Sequence, residues 1–232
     1  MKDTLFIQFY NKTKSGWFDL CNGFSDTWDL CKEKGDFYWM SHEEDNDKWY
    51  LEETYQDIPL PIQKGIVYVS ASYFNHLYQA YTWSIQNPDI RFIVGGPVAS
   101  ERSIGHNKWN SVHFKVEKEL PSNLILTGQS VESLFNVPEF SGKWKLKIPE
   151  SIPENSKIYF SYTLENQCYW KKCPFCSIAQ HCTEHFRKRK NLDLEFKNLD
   201  FKGNKIVSLN TGSITPEHIK AILPNLPIGN DI

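Results

Sequence analysis

Apolar positions along this 232-residue chain fall into short runs separated by turn-forming residues. Leu5-Phe-Ile-Gln-Phe9 reads as a short buried first strand. Ser25 to Gly35 begins with N-cap residues and ends on a glycine, which predicts a helix. Residues 41–57 carry seven acidic side chains and predict an exposed loop. Gly65-Ile-Val-Tyr-Val-Ser70 then reads as a buried strand. Tyr73 to Asn87 predicts a helix with Phe74, Leu77, Tyr78, Tyr81 and Ile85 on one face, and Pro88 ends it. Arg91-Phe-Ile-Val94 is a second buried strand and runs straight into Gly95-Gly-Pro97.

Strand, helix and strand joined by short loops make a βαβ unit of a parallel sheet. The ligand crevice of such a sheet lies outside the carboxyl ends of its strands. Ser70, Ser72, Gly95, Gly96 and Pro97 fall there. Asn123 to Gly128 predicts the next strand and Ser130 to Asn136 a helix with Ser130 as its N-cap. Gly128-Gln-Ser-Val-Glu132 lacks the second glycine of a nucleophile elbow, so Ser130 is not read as a nucleophile. Residues 137–156, with Pro138, Pro149 and Pro153, read as a linker. Lys157 to Tyr162 alternates as a strand does, and Ser177 to about Arg189 reads as helical, ending in the basic run Arg187–Lys190. Lys205-Ile-Val-Ser-Leu209 is a further strand, and Thr215-Pro216 opens a helix that continues to Leu223.

Composition narrows the class. With 40% hydrophobic and 23% charged residues, the chain is ordinary globular material, large enough for one domain or two small ones. A net charge of −2 argues against a dedicated nucleic-acid binder, because no basic excess exists to neutralise phosphates. Four of the eight tryptophans lie in the first fifty residues and are read as packing groups. No apolar run is long enough for a signal peptide or a membrane span, and none is expected. Six cysteines without a secretion signal suggest the reducing cytoplasm, where clustered thiols serve metals. Cys21 and Cys31 stand apart and read as buried free thiols.

The remaining thiols carry the chemistry. Cys168-Tyr-Trp-Lys-Lys-Cys173-Pro-Phe-Cys176 sets three cysteines within nine residues, directly after a strand. Two metal readings follow. Three thiolates suit an iron–sulfur cluster with one iron left open. Cys173, Cys176, His181 and His185 also have the spacing of a tetrahedral zinc set, with Cys182 placed to compete.

The cysteine run, with Phe175 before its last cysteine, resembles the cluster loop of radical S-adenosylmethionine (SAM) enzymes. Here the first gap is four residues where that family has three. The preceding strand-Ser-x-Ser-helix-strand-Gly-Gly-Pro pattern is similar to the cobalamin-binding domain of one group of those enzymes, although Gly128-Gln129 stands where members often have Gly-Glu. The resemblance implies an α/β fold: a Rossmann-like cobalamin-binding domain over residues 1–136, a linker over 137–156, and from 157 to 232 the start of a TIM-like radical SAM barrel. It implies that Cys168, Cys173 and Cys176 hold a [4Fe–4S] cluster whose open iron takes SAM, and that reductive cleavage releases a 5′-deoxyadenosyl radical. Phe175 would pack near the adenine, and Asn210, Thr211 and Ser213 would contact SAM where the family has Gly-Gly-Glu. Cobalamin would contact Ser70, Ser72, Gly95, Gly96 and Pro97. No Asp-x-His-x-x-Gly occurs, so a histidine-ligated cobalt is not expected, and His76 reads as a surface or packing residue. Implied partners are an electron donor such as a flavodoxin or ferredoxin and a peptide or small-molecule substrate, with neither nucleic acid nor membrane. The 56 residues after Cys176 provide two βα units, fewer than a barrel needs, so the chain is expected to be a fragment or to need a partner chain.

Overall fold

The computed structural model describes residues 3–13, 15–21, 24, 28–43, 59–96, 98–99, 120–127, 147–163, 205–210 and 216–225. The chain is α/β, and its described strands form one mixed, mostly parallel sheet of eight. In chain order they are β1 (Thr4–Lys12), β2 (Trp17–Leu20), β3 (Asp36–Glu43), β4 (Gly65–Ser70), β5 (Ile90–Gly95), β6 (Leu124–Leu126), β7 (Lys157–Thr163) and β8 (Lys205–Asn210). The helices are α1 (Trp28–Lys34), α2 (Phe74–Gln86) and α3 (Pro216–Ile222).

The centre is β1, nine residues long where the sequence predicts five. It pairs parallel with β3 from Leu5 to Lys12, which occupies one edge completely. The opposite edge is divided. From Thr4 to Ile7 it pairs parallel with β4, and from Tyr10 to Lys12 it pairs antiparallel with β2. Order therefore runs β6-β5-β4-β1-β2-β7-β8, with β3 on the far edge of β1. Five strands (β3, β1, β4, β5 and β6) run one way, whereas β2, β7 and β8 run the other. A tight hairpin makes the reversal: Thr13 N donates to Trp17 O at 2.8 Å, and Gly16 takes φ 80°. That positive φ is the left-handed region glycine enters without steric cost.

Two faces of the sheet are packed by different means. On one, Leu5, Ile7, Phe9, Val67, Val69, Phe92 and Val94 meet Leu77, Ala80, Tyr81 and Trp83 of α2 in one apolar cluster. On the other, Phe6 lies among Phe24, Phe37 and Tyr68, with ring centroids 5.1–5.5 Å away. Further along that face, Tyr10, Leu20, Ile158 and Phe160 enclose Ile152. Ile152 belongs to the predicted linker, so the end of that segment is pinned to the sheet; Tyr10 and Ser151 also share a hydroxyl hydrogen bond of 2.9 Å.

Helix α2 follows its predicted bounds, and its face differs. Ile85, expected in the core, is 56% exposed, and the buried stripe instead includes His76, Ala80 and Trp83. Leu77 and Tyr81 of the predicted face are buried and Tyr78 packs beside them, so Ile85 is the residue that departs, and small Ala80 marks where the helix presses on the sheet. Asn123 ties the helix end down: its side-chain amide donates to the carbonyl oxygens of Ser84, Asn87 and Ile90 at 2.8–3.1 Å. The bonds join the last turn of α2 to the start of β5, and the Asn87 oxygen also accepts the Ile90 backbone N–H at 3.1 Å.

Residues 1–136 and 157–232, expected as separate domains, are continuous in this sheet through the β2–β7 pairing of Trp17–Leu20 with Lys157–Phe160. The strands β2 and β3 are additions to the predicted set, and β3 takes in Ser41, His42 and Glu43 from the predicted exposed loop. No helix among the described residues is long and apolar enough to cross a membrane. Because Phe6 is fully buried among three rings, Phe6→Ala should cost about 3–5 kcal/mol in urea denaturation. Ile85→Ala, in contrast, should change stability by no more than about 0.5 kcal/mol. The reverse order would restore the predicted helix face.

Candidate functional site

Because β4 and β2 share one edge of β1 from opposite directions, their carboxyl ends meet head to head. Ser70 pairs with Gly95 of β5, and just beyond it Ala71 N donates to Gly95 O at 2.7 Å. From the other side β2 ends at Leu20, and the next residue, Cys21, donates its N–H to Phe9 O at 3.1 Å. Strands β7 and β8 run with β2 and point their carboxyl ends back toward the same gap. Strand ends from both directions thus converge on one seam.

Side chains cross the seam in two places. Tyr73 Oη donates to Asp19 Oδ2 at 2.8 Å, linking the start of α2 to β2. The side chains of Cys21 and Ser72 share a hydrogen bond. Behind them His76 is fully buried and stacks on Phe9 with centroids 4.0 Å apart and planes 7° from parallel. Its Nδ1 accepts the Ser72 backbone N–H at 3.3 Å. An accepting ring nitrogen carries no proton, so this contact fixes the neutral tautomer with the hydrogen on Nε2. The packing role expected for His76 is what the ring performs, and it also supports the Ser72 loop.

Ser70 and Gly95 are buried, Ser72 and Gly96 are half-buried, and Pro97 lies outside the described residues. Gly96 has its own structural reason. Its φ is 115°, and a Cβ built there would lie 2.2 Å from the Ala71 carbonyl oxygen. The close approach expected of a ligand at this glycine is already made by the chain's own backbone. A bulky residue at Gly96 would therefore disturb the β4–β5 strand ends whether or not a ligand binds there.

Cys168, Cys173, Cys176, Phe175, His181, Cys182 and His185 lie outside the described residues, as do Thr211 and Ser213. Asn210 is the last residue of β8 and pairs in register with Thr163, the last of β7. Cys21 and Cys31 are buried free thiols, as expected. Among the described residues no three His, Cys, Asp or Glu side chains form a metal-binding group. Asp19 and Tyr73 were not singled out by the sequence, since a carboxylate in Trp-Phe-Asp-Leu carries no signal until β2 is paired. No protein-family model and no curated protein sequence matches the chain.

The seam discourages negative charge. Burial, and then the neighbouring Asp19 carboxylate, push the Cys21 thiol above its ordinary range, against a smaller opposing effect of the Ser72 hydrogen bond. Burial and the Asp19 hydrogen bond push Tyr73 upward as well. The unfolded chain releases the Cys21 proton near pH 9.0, whereas the folded chain keeps it. Stability should therefore be unaffected by this group below that pH and fall as pH rises beyond it, by up to about 1.4 kcal/mol per pH unit for one proton. Denaturation midpoints from pH 8 to 11 should decline less steeply in Cys21→Ala, and equal slopes would mean the thiol ionises freely in the fold.

Proposed function

We propose that the chain belongs to a radical SAM enzyme, with Cys168, Cys173 and Cys176 as the protein ligands of a [4Fe–4S] cluster. The observation that carries the reading is the pairing of Thr163 with Asn210. It sets the carboxyl ends of two parallel strands side by side, where α/β folds of this kind hold their ligands. All three cysteines stand in the crossover that leaves β7, the first of them five residues beyond Thr163. Asn210 ends β8, and Thr211 and Ser213 follow it in the sequence.

The donor set fits the group, since three thiolates in a short run leave one iron for a substrate. Bound there, the cluster would supply the electron that splits the sulfonium C–S bond of SAM. What remains falls to the chain. Asn210, Thr211 and Ser213 would offer neutral hydrogen-bonding groups to the amino-acid end of SAM, and Phe175 an apolar surface to its adenine. Excluding water from the reacting atoms would be the work of the aromatic segments around the loop. The substrate would be a peptide or small molecule, and a flavodoxin or ferredoxin would reduce the cluster.

Cobalamin at Ser70, Ser72, Gly95, Gly96 and Pro97 is a further part of this reading. It is supported by the position of β4 and β5, whose carboxyl ends open on the same seam toward which β7 and β8 point. A TIM-like barrel beginning at β7 belongs to the same reading.

Anaerobic reconstitution should yield about four irons and four sulfides per chain. Cys168→Ala should lose both, while His185→Ala keeps them. If zinc is found instead, with His185→Ala removing it and Cys168→Ala retaining it, then Cys173, Cys176, His181 and His185 form a zinc module.

A further inference from the structure

We propose that β2 is a removable plug in the ligand crevice of this sheet, and that a ligand entering at the ends of β4 and β5 displaces it. The ligand named below rests on the cobalamin reading, whereas the plug rests on the order of the strands.

Strands β3, β1, β4, β5 and β6 are parallel neighbours in that order. After β1 the chain goes out to β3, then returns past β1 to β4, which is a doubly wound arrangement. The helices record the reversal. Between β1 and β3, α1 carries Cys31 into the cluster around Phe6 on the reverse face. Between β4 and β5, α2 packs Leu77, Ala80 and Trp83 on the opposite face. The reversal therefore falls between β1 and β4. In sheets wound this way the ligand crevice opens at that point, beyond the carboxyl ends of the strands.

In this chain the place is taken. Strand β1 runs on to Lys12, past the last residue it pairs with β4, and β2 folds back along the edge that β4 leaves. This brings Cys21 beside Phe9 O, where the loop leaving β4 begins. Polar groups at the crevice already have partners on the plug. The Ser72 side chain bonds that of Cys21, and the Tyr73 hydroxyl donates to Asp19 at 2.8 Å.

The two faces of β2 are held by different forces. On the reverse face Leu20 packs with Tyr10, Ile152, Ile158 and Phe160. Such apolar contacts are non-directional and tolerate a change of angle. On the α2 face Asp19 and Cys21 hold through hydrogen bonds, which weaken steeply when misaligned. The ladder to β1 is short, from Tyr10 to Lys12, whereas β7 pairs with the whole of β2. Strands β2 and β7 can thus bend away together, pivoting on the apolar cluster and parting the seam on the α2 face. Tyr73 is 44% exposed, so the latch meets solvent on one side.

Cys21 reports the state of the plug, being 5% exposed when it is seated. The full chain is treated anaerobically with iodoacetamide at one pH, with and without cyanocobalamin, and the rate at each cysteine is read by peptide mass spectrometry. A ligand that needs the open state binds with an apparent affinity scaled by the open fraction. Tyr73→Phe should therefore raise the Cys21 rate and the cyanocobalamin affinity by one common factor, on the order of tenfold for a lost hydrogen bond to a carboxylate. Ser72→Ala should raise the Cys21 rate as well, and cyanocobalamin itself should speed Cys21 in the unsubstituted chain. Cys31, fully buried on the reverse face, should keep its rate throughout. Bound cyanocobalamin that leaves Cys21 unchanged or slower would overturn the plug and leave the cobalamin reading standing. Equal acceleration of Cys21 and Cys31 in Tyr73→Phe would also overturn it, because the whole fold would then have loosened. Release of Cys21 by Tyr73→Phe, with cyanocobalamin binding to neither chain, would support the plug and remove the cobalamin reading.

Discussion

Everything in this fold depends on the way β1 divides one of its edges. A strand residue can offer hydrogen bonds to one neighbour on each side, and β3 uses one side of β1 from Leu5 onward. On the other side β4 takes the first half and β2 the second, from opposite directions. Two strands sharing an edge in that way must end facing each other. A seam between strand ends in the middle of a sheet is thus a necessity of the hydrogen-bonding pattern, and side chains had to be found that could live there. Asp19, Cys21, Ser72 and Tyr73 are those side chains.

The same division explains why polar chemistry gathers at this point. Beneath α2 the sheet is covered by leucine, valine and phenylalanine, and on the reverse face aromatic rings close over it. At the seam the strands stop and α2 only begins, with Tyr73 at its N-cap position in extended backbone. Backbone groups there have lost their ladder partners and take others: Ser72 N goes to His76, Ala71 N to Gly95 O and Cys21 N to Phe9 O. Polar side chains are tolerated because they bond one another, and His76 combines an apolar stack with a polar edge. Around the Asp19 carboxylate further negative charge is disfavoured, and the Cys21 thiol and Tyr73 phenol both resist ionisation.

Much of the α2 half was legible in the sequence, because continuous apolar runs such as Ile66–Val69 and Arg91–Val94 between turn residues describe buried parallel strands directly. Strand β8 and helix α3 were legible for the same reason, with Pro216 marking the helix start. The first forty-three residues were less so. Trp17-Phe-Asp-Leu20 is four residues long and half-buried, and its identity as a strand comes from β1 and β7 on either side rather than from its own pattern. Asp36–Glu43 mixes aromatics and acids because β3 has one edge on β1 and several exposed positions. Glycines carry two readings: Gly95-Gly96 looks like a ligand cradle in sequence, and the Ala71 carbonyl by itself also requires glycine at Gly96. Sequence marks where backbone comes close, and only the fold says whose backbone it is.

The turn at Thr13–Gly16 has a consequence for how this chain tolerates change. Side chains alternate faces along a strand, so the length of that turn fixes the parity of β2 and, through it, of β7 and β8. Deleting a single residue between Lys12 and Trp17 would move Leu20 to the face of Phe9 and Cys21 and press Asp19 against Ile152 and Tyr10. It would reverse Ile158 and Phe160 in step if β7 followed. A surface loop, ordinarily the most forgiving part of a protein, is here a counting device. Homologous chains should vary freely in the composition of this hairpin and scarcely at all in its length.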